Sequence, residues 1–415
     1  MLCMLRRYRA HLMLSNTRPF IDELERALPS RPFTVELWDG TRLASTNGVG
    51  PTFSVRSPQA LAHALRAPGQ LGLGRAYVSG ELAVDDLDEV LELLDTWEPP
   101  PIERREQARL ALAALRACGL VRLPAVPTAE LRPRGRRHSP ERDARSVRHH
   151  YDVSNEFFRL MLGESMTYSC ALFSQGAKTL EEAQEAKLEL VCRKLALKPG
   201  QRVLDVGCGW GSFAMHAAAK HDVSVVGITL SEPQAALARL RAEERGLGER
   251  LDIRVMDYRE LGGEPFDAVA SIGMVEHVGA NQIDVYARQV ARLVKPGGRV
   301  LNHGIARLRT GDPEAGPFSE RYVFPDAAPL HLSRIQLALE RAGLETEHVE
   351  GLRSDYAETL RHWAANIDEN LEEATRLAGQ ERVRVWRLYL RAARRGFEAG
   401  FTSIYQVRCR RPEAG

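Results

Sequence analysis

The sequence lacks the cysteine and histidine patterns that mark disulfide-rich and metal-binding proteins. Its six cysteines are scattered over 415 residues without a CxxC pair, a spacing that indicates neither a disulfide framework nor a zinc site. The twelve histidines show no ligand spacing either, and the neighbouring His149 and His150 would point in different directions on a helix or a strand. We therefore expect reduced thiols and no bound metal.

Long apolar runs are also missing. No stretch approaches the roughly 18 uninterrupted apolar residues that suggest a membrane-spanning helix. The segment Met1-Leu-Cys-Met-Leu-Arg-Arg-Tyr-Arg9 carries charges inside its apolar part, which argues against a secretory signal peptide. We expect the protein to stay on the cytoplasmic side of the membrane.

A strong charge of one sign is likewise absent, because 57 basic residues nearly balance 55 acidic ones and leave a net charge of +2. This balance predicts no nucleic-acid partner. Residues 130–150 nevertheless contain seven arginines against three acids, namely Arg132, Arg134, Arg136, Arg137, Arg142, Arg145 and Arg148. Two interpretations stay open: a solvated linker, or a patch attracted to anionic phospholipid headgroups by about 1 kcal/mol per basic residue near the surface.

The length and the shifts in composition predict two domains joined by a linker. Residues 1–123 mix strand-like and helical patterns, with Asp39-Gly40 as a hairpin turn, and are expected to form an α+β unit with a terminal helix. Residues 124–145 are rich in proline and arginine and are expected to form the linker. Residues 146–415 are expected to form the second domain.

Helical and strand-like patterns alternate in this second domain, with predicted strands that include residues 202–206 and 266–272. This alternation predicts an α/β fold with a mostly parallel sheet and right-handed crossovers. Two late strand-like runs, at 345–351 and 402–409, are expected to complete the sheet with an antiparallel edge. A long helical insertion lies between them, at roughly 354–399.

The most informative motif is the run Val203-Leu-Asp-Val-Gly-Cys-Gly-Trp-Gly-Ser-Phe213, in which a predicted strand ends in closely spaced glycines. Glycines permit close approach of a ligand to the backbone, and the following helix N-terminus favours a carboxylate. A nicotinamide dinucleotide site usually has an acid about 20 residues after the glycines. Here the acids are Asp205, before the first glycine, and Asp257, after a later strand. The pattern favours S-adenosylmethionine over NAD, and a purely structural turn remains the third interpretation.

Other predicted strands also end in polar or glycine residues, and ligands bind beyond the carboxyl ends of strands in open α/β sheets. Glu276 follows the fourth strand and His303 lies at the end of the fifth. A carboxylate and an imidazole at these positions can bind a small anion or handle a proton. Either residue alone can equally have a structural role.

The chain resembles the cyclopropane-fatty-acyl-phospholipid synthases. This family includes mycolic acid cyclopropane synthases and actinobacterial enzymes making 10-methylene fatty acyl chains. The resemblance covers residues 149–408. The motifs that carry it are His150-Tyr-Asp-Val-Ser-Asn155, Met166-Thr-Tyr-Ser-Cys170, Val203 to Gly211, Gly227-Ile-Thr-Leu-Ser231, Met256-Asp-Tyr-Arg259, Gly273-Met-Val-Glu-His-Val-Gly279, Arg321-Tyr-Val-Phe-Pro325 and Asp355-Tyr-Ala-Glu-Thr-Leu360.

The resemblance implies a fold, a cofactor and an anion. The implied fold is that of a class I S-adenosylmethionine-dependent methyltransferase, which is Rossmann-like with a mostly parallel seven-stranded sheet. A small lipid-associated N-terminal α+β domain is implied in addition. The 354–399 insertion is expected to build the acceptor pocket. The residues implied to hold S-adenosylmethionine are Tyr168, Ser169, Asp205, Gly207, Gly209, Trp210, Gly211, Thr229, Leu230, Ser231, Gln234, Asp257 and Tyr258. Those implied to form the catalytic site and hold bicarbonate are Cys170, Glu276, His303, Ile305 and Tyr356.

One departure from the family pattern is visible, because Tyr389-Leu-Arg-Ala-Ala393 has alanine where family members often carry cysteine.

The reaction implied is methyl transfer to the cis double bond of an unsaturated phospholipid acyl chain, which gives a carbocation. Aromatic faces can stabilise this cation, and Tyr168, Trp210, Tyr356 and Trp363 are the candidates. Proton loss from the added methyl closes a cyclopropane, whereas a hydride shift followed by proton loss gives an exocyclic methylene. The cyclopropane is the first expectation, because that branch names the family. The methylene product stays open as the alternative, and the Ala/Arg-rich composition, which suggests an actinobacterial source, supports it.

Two further alternatives are a soluble N- or O-methyltransferase and a non-catalytic lipid-binding protein. The expected partners are unsaturated acyl chains and anionic headgroups, bound peripherally on the inner face of the membrane. The sequence leaves room for a homo-oligomer such as a dimer.

Overall fold

The computed structural model describes residues 16–119, 124–131, 135, 142, 154–309 and 316–413. These residues form two compact units. The first contains the described residues up to Glu130 together with Gln380–Arg391, and the second contains Leu131–Gly379 and the residues from Ala392 onward. The segment Gln380–Arg391 lies within the predicted 354–399 insertion but groups with the first unit, so the insertion is divided between the two.

The first unit combines short strands with helices. Its sheet, within the described residues, has the strand order β2-β1-β3-β4. Strands β1 and β2 pair antiparallel across the predicted Asp39-Gly40 turn, where Gly40 has a φ of +85°, so the predicted hairpin is confirmed. The elements are α1 (Arg18–Ala27), β1 (Thr34–Glu36), β2 (Arg42–Leu43), β3 (Thr52–Val55), α2 (Pro58–Arg66), α3 (Gln70–Ser79), β4 (Leu82–Val84), α4 (Leu87–Thr96) and α5 (Arg104–Cys118).

The second unit alternates helices and strands as the sequence predicts. Its first elements are α6 (Asn155–Leu162), α7 (Leu180–Leu195), β5 (Arg202–Val206), α8 (Ser212–His221), β6 (Ser224–Thr229), α9 (Glu232–Glu244), a 3₁₀ turn (Gly248–Arg250), β7 (Leu251–Val255) and β8 (Phe266–Ile272). The later ones are α10 (Val275–Val278), α11 (Ile283–Leu293), β9 (Val294–Arg307), α12 (Pro317–Tyr322), α13 (Leu332–Arg341), β10 (Glu345–Gly351), α14 (Arg353–Glu369), α15 (Leu371–Glu398) and β11 (Thr402–Arg410). Helix α15 is interrupted at Gly379, whose φ is +78°.

The sheet of the second unit has seven strands in the order β10-β11-β9-β8-β5-β6-β7. The pairs from β9 to β7 are parallel, whereas β11 runs antiparallel to both of its neighbours. The predicted mostly parallel α/β sheet is therefore confirmed. The strand that runs antiparallel to its neighbours, β11, is second from the edge of the sheet, because β10 forms the edge.

Both faces of this sheet are covered, which explains the apolar character of its central strands. Side chains alternate along β5, so that Val203 packs with α7 and α8 on one face and Leu204 packs with α11 and α13 on the other. Helix α7 begins with a capping box, in which Thr179 and Glu182 each accept a backbone N–H of the other. The capping box fixes the residue at which α7 begins.

None of the helices in the described ranges is both long and apolar enough to cross a membrane.

Candidate cofactor and anion site

The glycine loop after β5 adopts a backbone that other residues rarely take. Gly207, Gly209 and Gly211 have φ values of +80°, +53° and +79°. A Cβ atom on Gly207 would lie 2.6 Å from Cγ of Met274, so a larger residue would clash as well as strain the backbone. The N–H groups of Gly207 and Cys208 both donate to the Ile228 carbonyl at 2.9 Å. The loop is therefore held firmly against the end of β6.

A first cavity, of about 140 Å³, opens on one side of this loop. Several predicted cofactor residues line it, namely Gly207, Gly209, Thr229, Leu230, Gln234, Asp257 and Tyr258. The Thr229 hydroxyl donates to Oε1 of Gln234 at 2.8 Å, and the Asp257 carboxylate accepts from Arg259. The cavity thus presents oriented amide and carboxylate groups, which suit the hydroxyls and amino group of a nucleoside.

A second cavity, of about 80 Å³, lies on the other side of the loop. Tyr168, Ser169, Asp205 and Trp210 line it, as predicted for cofactor contacts, and it shares four residues with the first cavity. The shared residues are Gly207, Gly209, Gln234 and Gly273. The two cavities therefore meet at the glycine loop, one on each side of it.

Lys187 is a buried residue of this second cavity that the sequence analysis missed. Its Nζ donates to the Ser169 hydroxyl at 2.6 Å. Burial lowers the pKa of Lys187 to about 8 and raises the pKa of Asp205 to about 7, although Lys187 opposes the second shift. Oδ2 of Asp205 has no hydrogen-bond partner among the described residues. This oxygen is thus available to an ammonium or hydroxyl of a ligand.

Two predicted cofactor residues, Gly211 and Ser231, line neither cavity. The Ser231 hydroxyl instead accepts from the Gln234 N–H and caps α9. A Cβ atom on Gly211 would lie 3.3 Å from that of Ala238. Both residues shape the backbone around the site. A direct contact with the cofactor stays a prediction for them, as it does for the residues that line the cavities.

Three of the predicted anion residues are grouped around β9, because His303 and Ile305 lie on this strand and Glu276 contacts Ile305. Glu276 Oε1 accepts from the Ile305 N–H at 3.4 Å. Glu276 Oε2 and both ring nitrogens of His303 have no hydrogen-bond partner within the described part of the chain. Buried polar atoms usually have partners, so this cluster is suited to a small polar ligand.

The charge states in this cluster follow from its burial. Burial raises the pKa of Glu276 to about 7, although backbone hydrogen bonds, among them one from Ile305, oppose the shift. Burial also lowers the pKa of His303 well below its usual value, and Lys187 and Lys194 add to that effect. The site therefore combines a neutral imidazole with a carboxyl group that exchanges a proton near neutral pH.

Gln406 joins this cluster and was also missed by the sequence analysis. It is fully buried in β11, directly opposite His303 in the antiparallel pair. Its Oε1 and Nε2 are both without a hydrogen-bond partner among the described residues. The described cluster thus contains donors and acceptors from three different elements: α10, β9 and β11.

Cys170 and Tyr356 approach the same backbone carbonyl. The Cys170 thiol contacts the Leu352 carbonyl at 3.7 Å, and the Tyr356 N–H donates to it at 3.0 Å. Burial raises the pKa of Cys170 well above its usual value, and the charge of Asp355 adds to this. The thiol is therefore protonated and poorly suited to act as a nucleophile.

Trp363 links the two halves of the site. Its ring lies 5.4 Å from the ring of Tyr168, in the cofactor half, and 6.0 Å from that of Tyr356, in the anion half. Trp363 is fully buried, and its Nε1 has no hydrogen-bond partner within the described residues. Three of the predicted aromatic residues thus form a continuous row. The fourth, Trp210, contacts Phe158 and donates from Nε1 to Asn155.

Comparison with known proteins identifies related sequences over most of the chain. A family model described as Mycolic acid cyclopropane synthetase matches residues 138–407. The chain is 39% identical over 396 residues to a protein of Mycobacterium tuberculosis named probable fatty acid methyltransferase, covering 93% of this chain and 92% of that protein. It is 35% identical over 364 residues to the cyclopropane-fatty-acyl-phospholipid synthase of Escherichia coli, covering 87% and 88%.

A third relative is the tuberculostearic acid methyltransferase UfaA1 of Mycobacterium tuberculosis, which is 31% identical over 397 residues and covers 92% of this chain and 88% of that protein. Among solved structures, the mycolic acid cyclopropane synthase CmaA1 complexed with SAH and CTAB is similar with a TM-score of 0.61 and 33% identity. This match covers 64% of the present chain and 97% of that chain. The likeness therefore includes both sequence and fold.

Proposed function

Since the chain belongs to the mycolic acid cyclopropane synthetase family of S-adenosylmethionine-dependent methyltransferases, we propose that it adds a C1 unit to the cis double bond of an unsaturated acyl chain in a membrane phospholipid. The product of this reaction is a cyclopropane fatty acyl chain. The observation that carries the proposal is the buried cluster of Glu276, His303 and Gln406, whose side chains have atoms without hydrogen-bond partners among the described residues. A transferase acting on an amine or hydroxyl has no need of such a cluster beside the methyl donor.

The crevice fits the cofactor by the chemistry of its lining. Asp205 Oδ2 is available to an ammonium group, the start of α8 favours a carboxylate, and Thr229, Gln234 and Asp257 offer polar groups to a nucleoside. S-adenosylmethionine supplies an electrophilic methyl when it is bound. Lys187 orients this half of the site through its hydrogen bond to Ser169.

An alkene is a weak nucleophile, so the protein must align it with the methyl group and exclude water from the cation that results. The row formed by Tyr168, Trp363 and Tyr356 provides apolar faces between the two halves of the site. Such faces attract a cation by about 0.5–2 kcal/mol each. They also leave little room for a water molecule that would convert the cation to an alcohol.

The reaction ends with removal of a proton from the added carbon, and we assign the final acceptor of this proton to Oε2 of Glu276. Its pKa of about 7 is matched to reversible protonation near neutral pH. His303 is neutral there, so it can donate from one ring nitrogen and accept at the other. The donors His303, Gln406 and the Ile305 N–H would hold bicarbonate beside the carboxyl group, where that ion supplies a second oxygen base.

A second product is supported by one observation. The tuberculostearic acid methyltransferase UfaA1 aligns with 92% of this chain, so a methylene-forming reaction on the same site is the alternative. It requires a hydride shift within the acyl chain before the proton is lost. The described residues do not distinguish the two routes, since both routes end in transfer of a proton to a base.

We further propose that the protein acts peripherally at the inner face of the membrane, as a dimer, in an actinobacterial cell. Six of the seven arginines in residues 130–150 lie outside the described residues. The seventh, Arg142, donates to both carboxylate oxygens of Asp326, which lines the first cavity. The six others are therefore the candidates for anionic headgroups, while Arg142 supports the cavity wall.

Expression in a host rich in oleoyl phospholipids tests this function. Mass spectrometry should reveal acyl chains that gain one CH2, and proton NMR of the isolated chains should then show cyclopropane or exocyclic methylene signals. Acyl chains that remain unchanged, while the purified protein binds S-adenosylmethionine, would contradict the lipid assignment. Methylene signals alone would establish the alternative product.

A further inference from the structure

We propose that α7 and α8 form a metal site that is separate from the crevice and independent of the proposed function. Its ligands are the Cys192 thiolate and the imidazoles of His216 and His221, with the Glu189 carboxylate as the fourth donor. One ligand atom from each of the first three residues lies within 4.8 Å of the other two. None of the four residues lines either cavity of the cofactor site.

The geometry comes from two helices packed side by side. Glu189 and Cys192 are three residues apart on α7 and therefore share a face, while His216 and His221 lie on α8. Glu189 Oε2 lies 3.2 Å from Nε2 of His216 and 3.0 Å from Nε2 of His221. Zn–N bonds of about 2.0–2.1 Å place neighbouring ligands of a tetrahedral ion roughly 3.3 Å apart. The two distances from Glu189 Oε2 to the imidazole nitrogens are already close to that value, and the ligand atoms of Cys192, His216 and His221 lie within 4.8 Å of one another.

Burial and charge also suit a bound cation. Cys192 is completely buried and the His216 side chain is 9% exposed, whereas the side chains of His221 and Glu189 are 21% and 38% exposed. The exposed side gives an ion access to the cluster, and the buried side shields its bonds from water. Glu189 supplies the negative charge of a carboxylate, and this carboxylate lies against both imidazoles.

The donor set identifies the class of ion. One thiolate, two imidazoles and one carboxylate are typical ligands of Zn²⁺, whereas Mg²⁺ and Ca²⁺ prefer oxygen ligands only. Four protein ligands leave no open coordination position, which indicates a structural ion. It would join α7, which carries Lys187, to α8, which follows the glycine loop. The sequence spacing gave no sign of this site because its ligands come in two pairs on separate helices.

Zinc titration of the full chain, after removal of metal with a chelator, tests the site. Competition with a chromophoric chelator should show one Zn²⁺ per chain. The variant H216Q/H221Q should bind at least about 10-fold more weakly, as expected when metal-site groups are lost. The controls are His348→Gln, on the exposed strand β10, and Cys409→Ala, at another buried thiol; both should bind Zn²⁺ like the unmodified chain.

Cobalt provides a second readout that does not depend on activity. Co²⁺ bound to the unmodified chain should show a thiolate-to-metal charge-transfer band that Cys192→Ser lacks, with thermal unfolding used to confirm that each variant is folded. The proposal is overturned if the chain binds no stoichiometric Zn²⁺ or if H216Q/H221Q binds it as tightly as the unmodified chain. A cobalt complex without the thiolate band would also overturn it, because Cys192 would not be a ligand.

Discussion

His303 and Gln406 lie directly opposite each other on β9 and β11, and neither side chain has a hydrogen-bond partner among the described residues. Opposite residues of an antiparallel pair project from the same face of the sheet. A buried polar group without a partner costs about 1–3 kcal/mol. A polar ligand that satisfies both side chains recovers this free energy, which makes the pair a binding element of the anion site.

Replacement of Gln406 tests this relationship. Gln406→Leu should lower turnover by about 10-fold or more, because one donor to the ligand is lost, while the Kd for S-adenosylmethionine stays unchanged. The midpoint of thermal unfolding should stay the same or rise, since an unpaired buried amide is replaced by an apolar group. The control is Val407→Ala, which alters the opposite face of the sheet and should lower stability more than turnover. Full turnover in Gln406→Leu would remove this residue from the site.

The pH dependence of turnover should report on Glu276. Burial raises its pKa to about 7, and the carboxylate must be ionised to accept a proton, so kcat should rise with pH through about 7. Glu276→Gln should bind the cofactor normally, lower kcat by about 100-fold and lose this inflection. The rates must be measured at saturating cofactor, because Asp205 and Lys187 in the cofactor half of the site also have pKa values near 7 and 8. An unchanged inflection in the variant would assign the titration to another group.

The same group affects stability with a predictable sign. The pKa of Glu276 in the folded chain, about 7, exceeds its ordinary value of 4.5, so folding favours the protonated form. The stability that this group contributes is present below pH 4.5 and is lost as pH rises to about 7. Denaturant unfolding should therefore show Glu276→Gln gaining stability relative to the unmodified chain over this interval. A constant difference between the two proteins would contradict the raised pKa.

Lys187 should be required for cofactor binding rather than for chemistry alone. Lys187→Met removes the donor to Ser169 and the cation near Asp205, so isothermal calorimetry should show about 10-fold weaker binding of S-adenosylmethionine. Lys194→Met is the matched control on the same helix, because Lys194 pairs with Glu350 and lines neither cavity. Equal affinities for both variants would exclude a specific role of Lys187.

The basic linker should bind anionic membranes by charge. Reversal of Arg132, Arg134, Arg136 and Arg137 to Glu should weaken sedimentation with phosphatidylglycerol vesicles, and the effect should shrink at high salt because of screening. The control reverses the same number of exposed arginines elsewhere in the chain: Arg18, Arg245, Arg334 and Arg376. Vesicle binding that does not depend on salt would indicate an apolar docking surface instead.

The strands and their ends were predictable because periodicity and glycine spacing are local properties of the sequence. The predicted strands at 202–206 and 266–272 agree with the structure to the residue. That Glu276 and His303 follow or end neighbouring strands of the sheet was predictable, since the strand ends of a parallel sheet converge. The place of β11 was harder to predict, because no local signal distinguishes an outer strand from one inserted beside β9.

Lys187 and Gln406 were missed because their roles depend on burial by distant elements. A signal for Lys187 was present: Ala183, Lys187 and Val191 recur every four residues on α7, which places a lysine on the buried face. Gln406 gives a weaker signal, as its position opposite His303 depends on the register between β9 and β11. That register is set by tertiary pairing and is not visible in either strand alone.

The fate of the transferred methyl group tests the central claim most directly. Purified protein is given S-adenosylmethionine with a fully deuterated methyl group, together with vesicles of an oleoyl phospholipid, and the acyl chains are analysed by mass spectrometry. The account requires transfer of the methyl to the alkene, followed by deprotonation of the added carbon by an acceptor at Glu276. The product should therefore retain two of the three deuterium atoms. Glu276→Gln should form far less of this product. Retention of all three, or a label absent from the acyl chains, would contradict the account.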